Sequence, residues 1–312
     1  MKKILLIIFL TSFLSNNSFS QWKQTKCPTK GRVLSILIDK NNIYAGTDGG
    51  FGVSHDNGLT WTLENNGLTN RVVKSLATKD SIVYAGTSEG VFYSENECKT
   101  WKNMSKGLKS FNINVLYVKG SDLFAGTSKG IYCYNTETAS WDDLNGDLEK
   151  KEVESIASIG KYLLVGLEDR GIFVSTDNGK LWSESNTGLT VPDVESLVVC
   201  GQNIYATPEG SGVFMSSDFG VTWKPVNNGL EYDKPGVPDI HVWALATDGR
   251  HVFAGTNKNG VYILRNKEQK WKRLSTSFNY TCVLSLAIYN RHVYAGTYEE
   301  GLWLYQYTRK KK

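Results

Sequence analysis

The chain has 312 residues and a net charge of +4, with its cationic excess at the two ends: Lys2 and Lys3 near the start, Arg309 to Lys312 at the finish. The near-neutral body between them gives no electrostatic footing for nucleic acid, which binds through dense positive charge. The five cysteines, Cys27, Cys98, Cys133, Cys200 and Cys282, form no CxxC and no paired His/Cys spacing, so no metal site is expected.

In chain order, residues 1–20 combine a basic start, an apolar run from Ile4 to Leu14 and a small-residue exit at Ser18 to Ser20. This pattern predicts a bacterial Sec-type signal peptide ahead of Gln21, and hence an exported protein that is periplasmic, cell-surface or secreted. The apolar run is too short for a stable transmembrane anchor. Export permits disulfides, and one between Cys27 and Cys282 stays open, because both fall in links leading into an inner strand.

From Gln21 to residue 308 the chain is a repeat array. The tetrad Tyr-Ala-Gly-Thr begins at Tyr44 and Tyr84, with variants from Phe124, Leu164, Tyr205, Phe253 and Tyr294. Tryptophans follow in step at Trp61, Trp101, Trp141, Trp182, Trp223 and Trp271, with Trp22 ahead of them. A period near 40 residues marks stacked supersecondary units. Each unit holds short β runs broken by Gly, Asn, Asp and Ser, without a helical stripe. Four short strands per unit predict an all-β fold, one β-propeller blade per repeat, since β-solenoid coils are normally shorter.

The ends set the blade count. The last repeat runs VLSLAI, HVYAGT, GLWLYQY and lacks a tryptophan strand, whereas the start, QWKQT, is a tryptophan strand without a blade. Together they predict seven four-stranded antiparallel blades, the ring closed by Trp22 completing blade 7. Closure removes two exposed sheet edges. Arg309 to Lys312 remains as a solvated basic tail.

Each inner strand follows a V-x-S-L-A pattern centred on Ser35, Ser75, Val115, Ser155, Ser196, Ala244 and Ser285, small residues that suit the crowded axis. The turn before the tryptophan strand is more specific. Blade 1 carries Ser54, Asp56, Gly58, Thr60 and Trp61; blade 4 Ser175, Asp177, Gly179 and Trp182; blade 5 Ser216, Asp218, Gly220, Thr222 and Trp223. A short carboxylate accepts backbone N–H groups and fixes the turn, glycine supplies positive φ, and tryptophan anchors the next strand. These repeated carboxylates are therefore read as architectural, not catalytic.

S-x-D-x-G-x-T-W resembles the Asp-box, or bacterial neuraminidase repeat, of sialidases, xyloglucanases, sortilin-type receptors and photosystem II assembly-factor propellers. The resemblance covers residues 21–308 and implies the fold, with the boxes at the blade periphery. The chain lacks the F-R-I-P motif and six-blade plan of sialidases; its early stretch reads Gly31-Arg32-Val33-Leu34. It also lacks the paired propellers of xyloglucanases and the ten blades of sortilins. In size and plan it is most similar to the assembly-factor type.

A binding site is expected on the axial face, formed by the loops entering the inner strands and those joining strands two and three. The first set carries Arg32, Arg71, Asn112, Glu152, Glu154, Asp193, Glu195, His241 and Trp243. The second carries Asp48, Glu89, Lys129, Glu168, Asp169, Arg170, Glu209, Lys258, Glu299 and Glu300. One loop departs from the repeat: EYDKPGVPDI, between Leu230 and His241, brings Tyr232, Asp233 and Asp239 to the same rim, with Pro235 and Pro238 expected to stiffen it. No catalytic residue is assigned and no cofactor is expected. The reading is an exported, monomeric, non-enzymatic propeller that binds a protein partner in the cell envelope or helps assemble a complex there. The alternative is a glycan-binding protein or a glycoside hydrolase using the rim carboxylates.

Overall fold

The computed structural model describes residues 21–27, 31–146, 148, 150–233, 236, 239–265, 268–278 and 281–307. The expected signal peptide, Pro235, Pro238 and the basic tail lie outside these residues. The described chain is all-β: seven four-stranded antiparallel sheets arranged as a ring, a seven-bladed β-propeller. Blade 1 runs Val33–Asp39, Asn42–Thr47, Gly50–Ser54 and Thr62–Leu63. Blade 7 takes Val283–Tyr289, His292–Thr297 and Leu302–Gln306 from the end of the chain and Lys23–Gln24 from its start, as the repeat arithmetic requires.

Closure rests on a short ladder and a large side chain. Lys23 pairs with Leu304 and Gln24 with Trp303, and the Thr25 amide donates to the Leu302 carbonyl at 2.9 Å. Trp22 sits just before this strand, 8% exposed, stacked on Phe278 at 4.6 Å and tilted against Tyr305 at 5.2 Å. The fourth strands are shorter than the sequence implies. Six are two residues long and begin after their tryptophan; only Ser140–Asp143 includes it.

Those tryptophans join blades. Trp101, Trp141, Trp182, Trp223 and Trp271 each donate Nε1–H to a carbonyl at the outer strand of the preceding blade, those of Glu64, Met104, Leu144, Ser185 and Val226, at 2.6–2.9 Å. Trp61 differs: its Nε1 reaches back to its own turn, the Gly58 carbonyl at 3.2 Å. The turns close as their residues predict. Asp56 Oδ1 accepts from the Leu59 and Thr60 amides at 3.0 and 2.8 Å, while Ser54 Oγ accepts from the Gly58 amide at 2.8 Å. Hydrogen bonds from the Thr60 hydroxyl and amide hold the Asp56 carboxyl down at about 2, and Thr222 does the same for Asp218, also at about 2. Asp177 is lowered chiefly by the Leu181 amide.

The tetrad's glycine admits the next blade: a Cβ on Gly46 would lie 2.6 Å from the Val73 carbonyl oxygen of blade 2. Its aromatic residue fills the space between blades, as Tyr44 does against Val73, Val83 and Trp101. The inner-strand serines do more than save space. Ser75 Oγ accepts from the Leu116 amide at 2.8 Å, Ser196 Oγ from the Leu245 amide at 3.2 Å, and Ser285 Oγ donates to the Val33 carbonyl at 2.8 Å, each across to the next blade. Cys282 is a free thiol, so the Cys27–Cys282 bridge left open by the sequence is not formed.

Candidate functional site

The two loop sets do meet on one face. Backbone hydrogen bonds run from Asp48 to Arg32, Ser88 to Val72, Glu168 to Glu152, Glu209 to Asp193, Asn257 to His241 and Tyr298 to Cys282. On this face the inner strand carries a bulge in every blade. The register skips one residue: Leu34, Lys74, Asn114, Glu154, Glu195, Trp243 and Leu284. These are the x positions of V-x-S-L-A. A bulge releases a side chain from the alternation of the sheet and re-aims it. The seven skipped residues form a half-buried ring, one per blade: polar on blades 2 and 3, acidic on 4 and 5, aromatic on 6, aliphatic on 7 and 1.

Hydrogen bonds tie part of this ring together. Lys74 Nζ donates to Asn114 Oδ1 at 3.0 Å, and Asn114 Nδ2 donates to Glu152 Oε1 at 2.7 Å and Glu154 Oε1 at 3.5 Å. The carboxylates that follow have few cations near them. Burial, then Glu152, Glu195 and Asp193, push the Glu154 carboxyl up to about 8, with Lys74 pulling the other way. Burial, then Asp193, Glu209 and Glu168, push Glu195 up to about 7 against His241. Burial, then Glu209, Glu168 and Asp169, raise Asp193 to about 6. Glu168 is raised chiefly by Glu152. Among the described residues, none of Glu152, Glu154, Glu168, Asp193 and Glu195 forms a salt bridge.

The insertion closes the blade 6 side. The Ile240 amide donates to the Gly210 carbonyl and the Gly212 amide to the Ile240 carbonyl, both at 2.9 Å, which lays the end of the loop against blade 5. His241 Nδ1 then lies 3.0 Å from Asp239 Oδ1 and 3.4 Å from Asp233 Oδ2, while Nε2 lies 3.7 Å from Glu209 Oε1. The Nδ1 contacts fall outside hydrogen-bond geometry, so they are charge contacts, effective only when the imidazole is protonated. The Asp233 side chain is 4% exposed; its Oδ2 accepts from Asn257 Nδ2 at 3.0 Å and its Oδ1 has no hydrogen-bond partner among the described residues. The His241 ring stacks on Trp243, centroids 5.9 Å apart.

The expected site residues therefore divide. Asp233, Asp239, His241 and Trp243 form one cluster, and Glu209 links it to Asp193 and Glu195. Glu168 and Asp169 join the acidic group on blades 4 and 5. Tyr232 is exposed at the rim. Arg170 turns away: its guanidinium pairs with Glu184 of the outer strand at 3.4 Å and lies over Phe173. Glu299 and Glu300 line a separate cavity of about 260 Å³ with Lys258, Thr281, Cys282 and Tyr298, between blades 6 and 7. Sequence reasoning missed Lys74 and Asn114. Their signal was available, as the one position of the inner-strand pattern that takes charged residues.

No family model matches the chain, and no curated protein matches it. Solved structures do. YCF48 bound to D1 peptide aligns with a TM-score of 0.72 at 12% identity, over 96% of this chain and 98% of that one. The extracellular domain of BT4673 from B. thetaiotaomicron aligns with a TM-score of 0.75 at 16% identity, over 93% of this chain but 40% of that longer one. PorZ, a surface component of the type-IX secretion system of Porphyromonas gingivalis, aligns with a TM-score of 0.64 at 17% identity, over 90% of this chain and 37% of that one. No helix among the described residues is long and apolar enough to cross a membrane. At these identities the likeness establishes the seven-bladed propeller fold and nothing narrower.

Proposed function

We propose that this protein is an exported interaction propeller of the Asp-box type, whose axial mouth on blades 4 to 6 holds a cationic segment of an envelope protein. One observation carries the reading: Glu154, Glu195 and Asp193 converge at the mouth with carboxyls raised to about 8, 7 and 6 by burial and mutual repulsion. A lysine or arginine entering there would offset that repulsion and displace the protons, so binding supplies the charge the site lacks. The buried, half-satisfied Asp233 beside His241 extends the same acidic surface. That YCF48, of like fold, is seen with a peptide supports a peptide-holding role.

Capture from a detergent extract of the native envelope tests this. The protein is run beside Glu154→Gln/Glu195→Gln and beside a chain with residues 231–239 replaced by a Gly/Ser link. We expect one stoichiometric partner at pH 8, released as pH falls toward 5.5 and lost in the double variant. A partner retained equally by all three proteins at both pH values would refute the mouth as the site.

A second reading has its own observation. A carboxyl held protonated near neutral pH, as on Glu154, beside further carboxylates is also the arrangement of a glycoside hydrolase or glycan-binding cleft, with Trp243 and Tyr232 as sugar platforms. Glycoside hydrolysis abolished by Glu154→Gln would establish this alternative over the first.

A further inference from the structure

Away from the axial mouth, a cavity of about 630 Å³ opens between blades 5 and 6. It lies at the end of the blades where strands one and two turn, bounded by Gln202 and Asn203 on blade 5 and by Gly249 and Arg250 on blade 6. Its volume is within the range of small-molecule sites, about 300–1,000 Å³.

The register explains why a cleft is found at this junction. Met215 pairs with Lys224 in blade 5 and Ile263 with Lys272 in blade 6, so the intervening turns have equal length and their residues correspond one to one. Blade 5 seats its turn on blade 4 through Gly220, where a Cβ would already lie 2.9 Å from Ser185 Oγ and 3.3 Å from Leu164 Cδ2. Phe219 beside it stacks on Tyr162 of blade 4 at 4.8 Å. In blade 6 the position of Gly220 is taken by Glu268, and a side chain of that size cannot enter the same seat. Glu268 instead lines the cleft, its carboxylate 2.8 Å from Lys272 Nζ.

The lining has a definite chemistry. Tyr205, Met215 and Leu264 supply an apolar floor. Among the described residues Arg250 and Arg265 supply two guanidinium groups, neither in a salt bridge, and Arg265 Nε is buried with no hydrogen-bond partner. A buried donor left unpaired is costly, and two guanidinium groups over an apolar floor match a carboxylate or sulfo group attached to an apolar body.

We propose that the cleft between blades 5 and 6 binds a small organic anion with an aromatic or aliphatic body, its anionic head on Arg250 and Arg265 and its body on Tyr205, Met215 and Leu264. This site is independent of the axial mouth.

The test uses the full chain and the fluorescent probe 1-anilinonaphthalene-8-sulfonate, displaced by benzoate or by its neutral analogue benzamide. Expected are one probe site per chain, displacement by benzoate but not benzamide, and binding weakened about tenfold in Arg265→Gln, the scale of losing one charge-assisted hydrogen bond. Arg250 is exposed, so Arg250→Gln keeps the fold and gives the same direction of change even if Arg265→Gln lowers the melting point. Glu154→Gln/Glu195→Gln is expected to bind the probe as the unaltered protein does. Equal displacement by benzamide, unchanged affinity in both arginine variants, or loss of probe binding in the axial-mouth variant would each overturn the assignment.

Discussion

Trp22→Ala tests the closure of the ring. The side chain is 8% exposed against Phe278 and Tyr305. An aromatic residue of this size buries about 150–250 Å². At ~25 cal/mol per Å² this contributes about 4–6 kcal/mol. Residual burial in the unfolded chain lowers that to roughly 3–5 kcal/mol, the usual range for Trp→Ala in a core. At about 2–4 °C per kcal/mol the melting point should fall on the order of 10 °C. Removing residues 21–25 should cost more still, because the Lys23–Leu304 and Gln24–Trp303 pairs and the Thr25–Leu302 hydrogen bond go with it. Trp22 Nε1 has no hydrogen-bond partner among the described residues, so Trp22→Phe should be far milder than Trp22→Ala. The assay is thermal unfolding followed by tryptophan fluorescence and circular dichroism, with removal of residues 309–312 as the control. Equal melting points for the two truncations would refute closure by the N-terminal strand.

Two further predictions follow from inter-blade contacts and from the acidic mouth. Trp223→Ala should cost about 3–5 kcal/mol in chemical denaturation, since Trp223 is 2% exposed and donates to the Ser185 carbonyl of the preceding blade. Trp61→Ala should cost clearly less, because Trp61 is only half-buried and bonds within its own turn; equal costs would sink the idea that the indole latches blades. For Glu154 and Glu195 the folded pKa lies above that of the unfolded chain. Their contribution to stability is therefore complete below about pH 4.5 and is lost as pH rises through about 7 to 8. Glu154→Gln/Glu195→Gln mimics the protonated forms, so it should stabilise the protein at pH 8.5 and have little effect at pH 5. Allowing for solvent screening, the gain at pH 8.5 is on the order of 1–2 kcal/mol. Melting curves at both pH values decide it; a variant less stable than the unaltered protein at pH 8.5 would show the carboxylates to be compensated.

The fold was legible because its determinants are local and repeated. A turn such as Ser54 to Trp61 closes on its own side chains, and the tetrad from Tyr44 joins a filling aromatic to a glycine that admits the next blade. Both survive as sequence pattern. The blade count and N-terminal closure follow from which strand each end lacks. The loop sets that share a face were legible for the same reason, because every repeat places them alike.

The site was legible only as a rim. Sequence named Glu154, Glu195, His241 and Trp243, but it gave Arg170 the same standing, and structure turns Arg170 outward to Glu184. Glu299 and Glu300 likewise fall on another cavity. Lys74 and Asn114 entered only through the bulge, a register shift that depends on how inner strands converge about the axis. The coupling of Glu154 to Glu195, the link from the His241 loop to Glu209 and the cleft beside Arg265 each arise between different blades. Local pattern by itself determined which residues turn, pair and fill. Only ring closure, which sets the distance between blades, decided which charges face one another and where a gap remains.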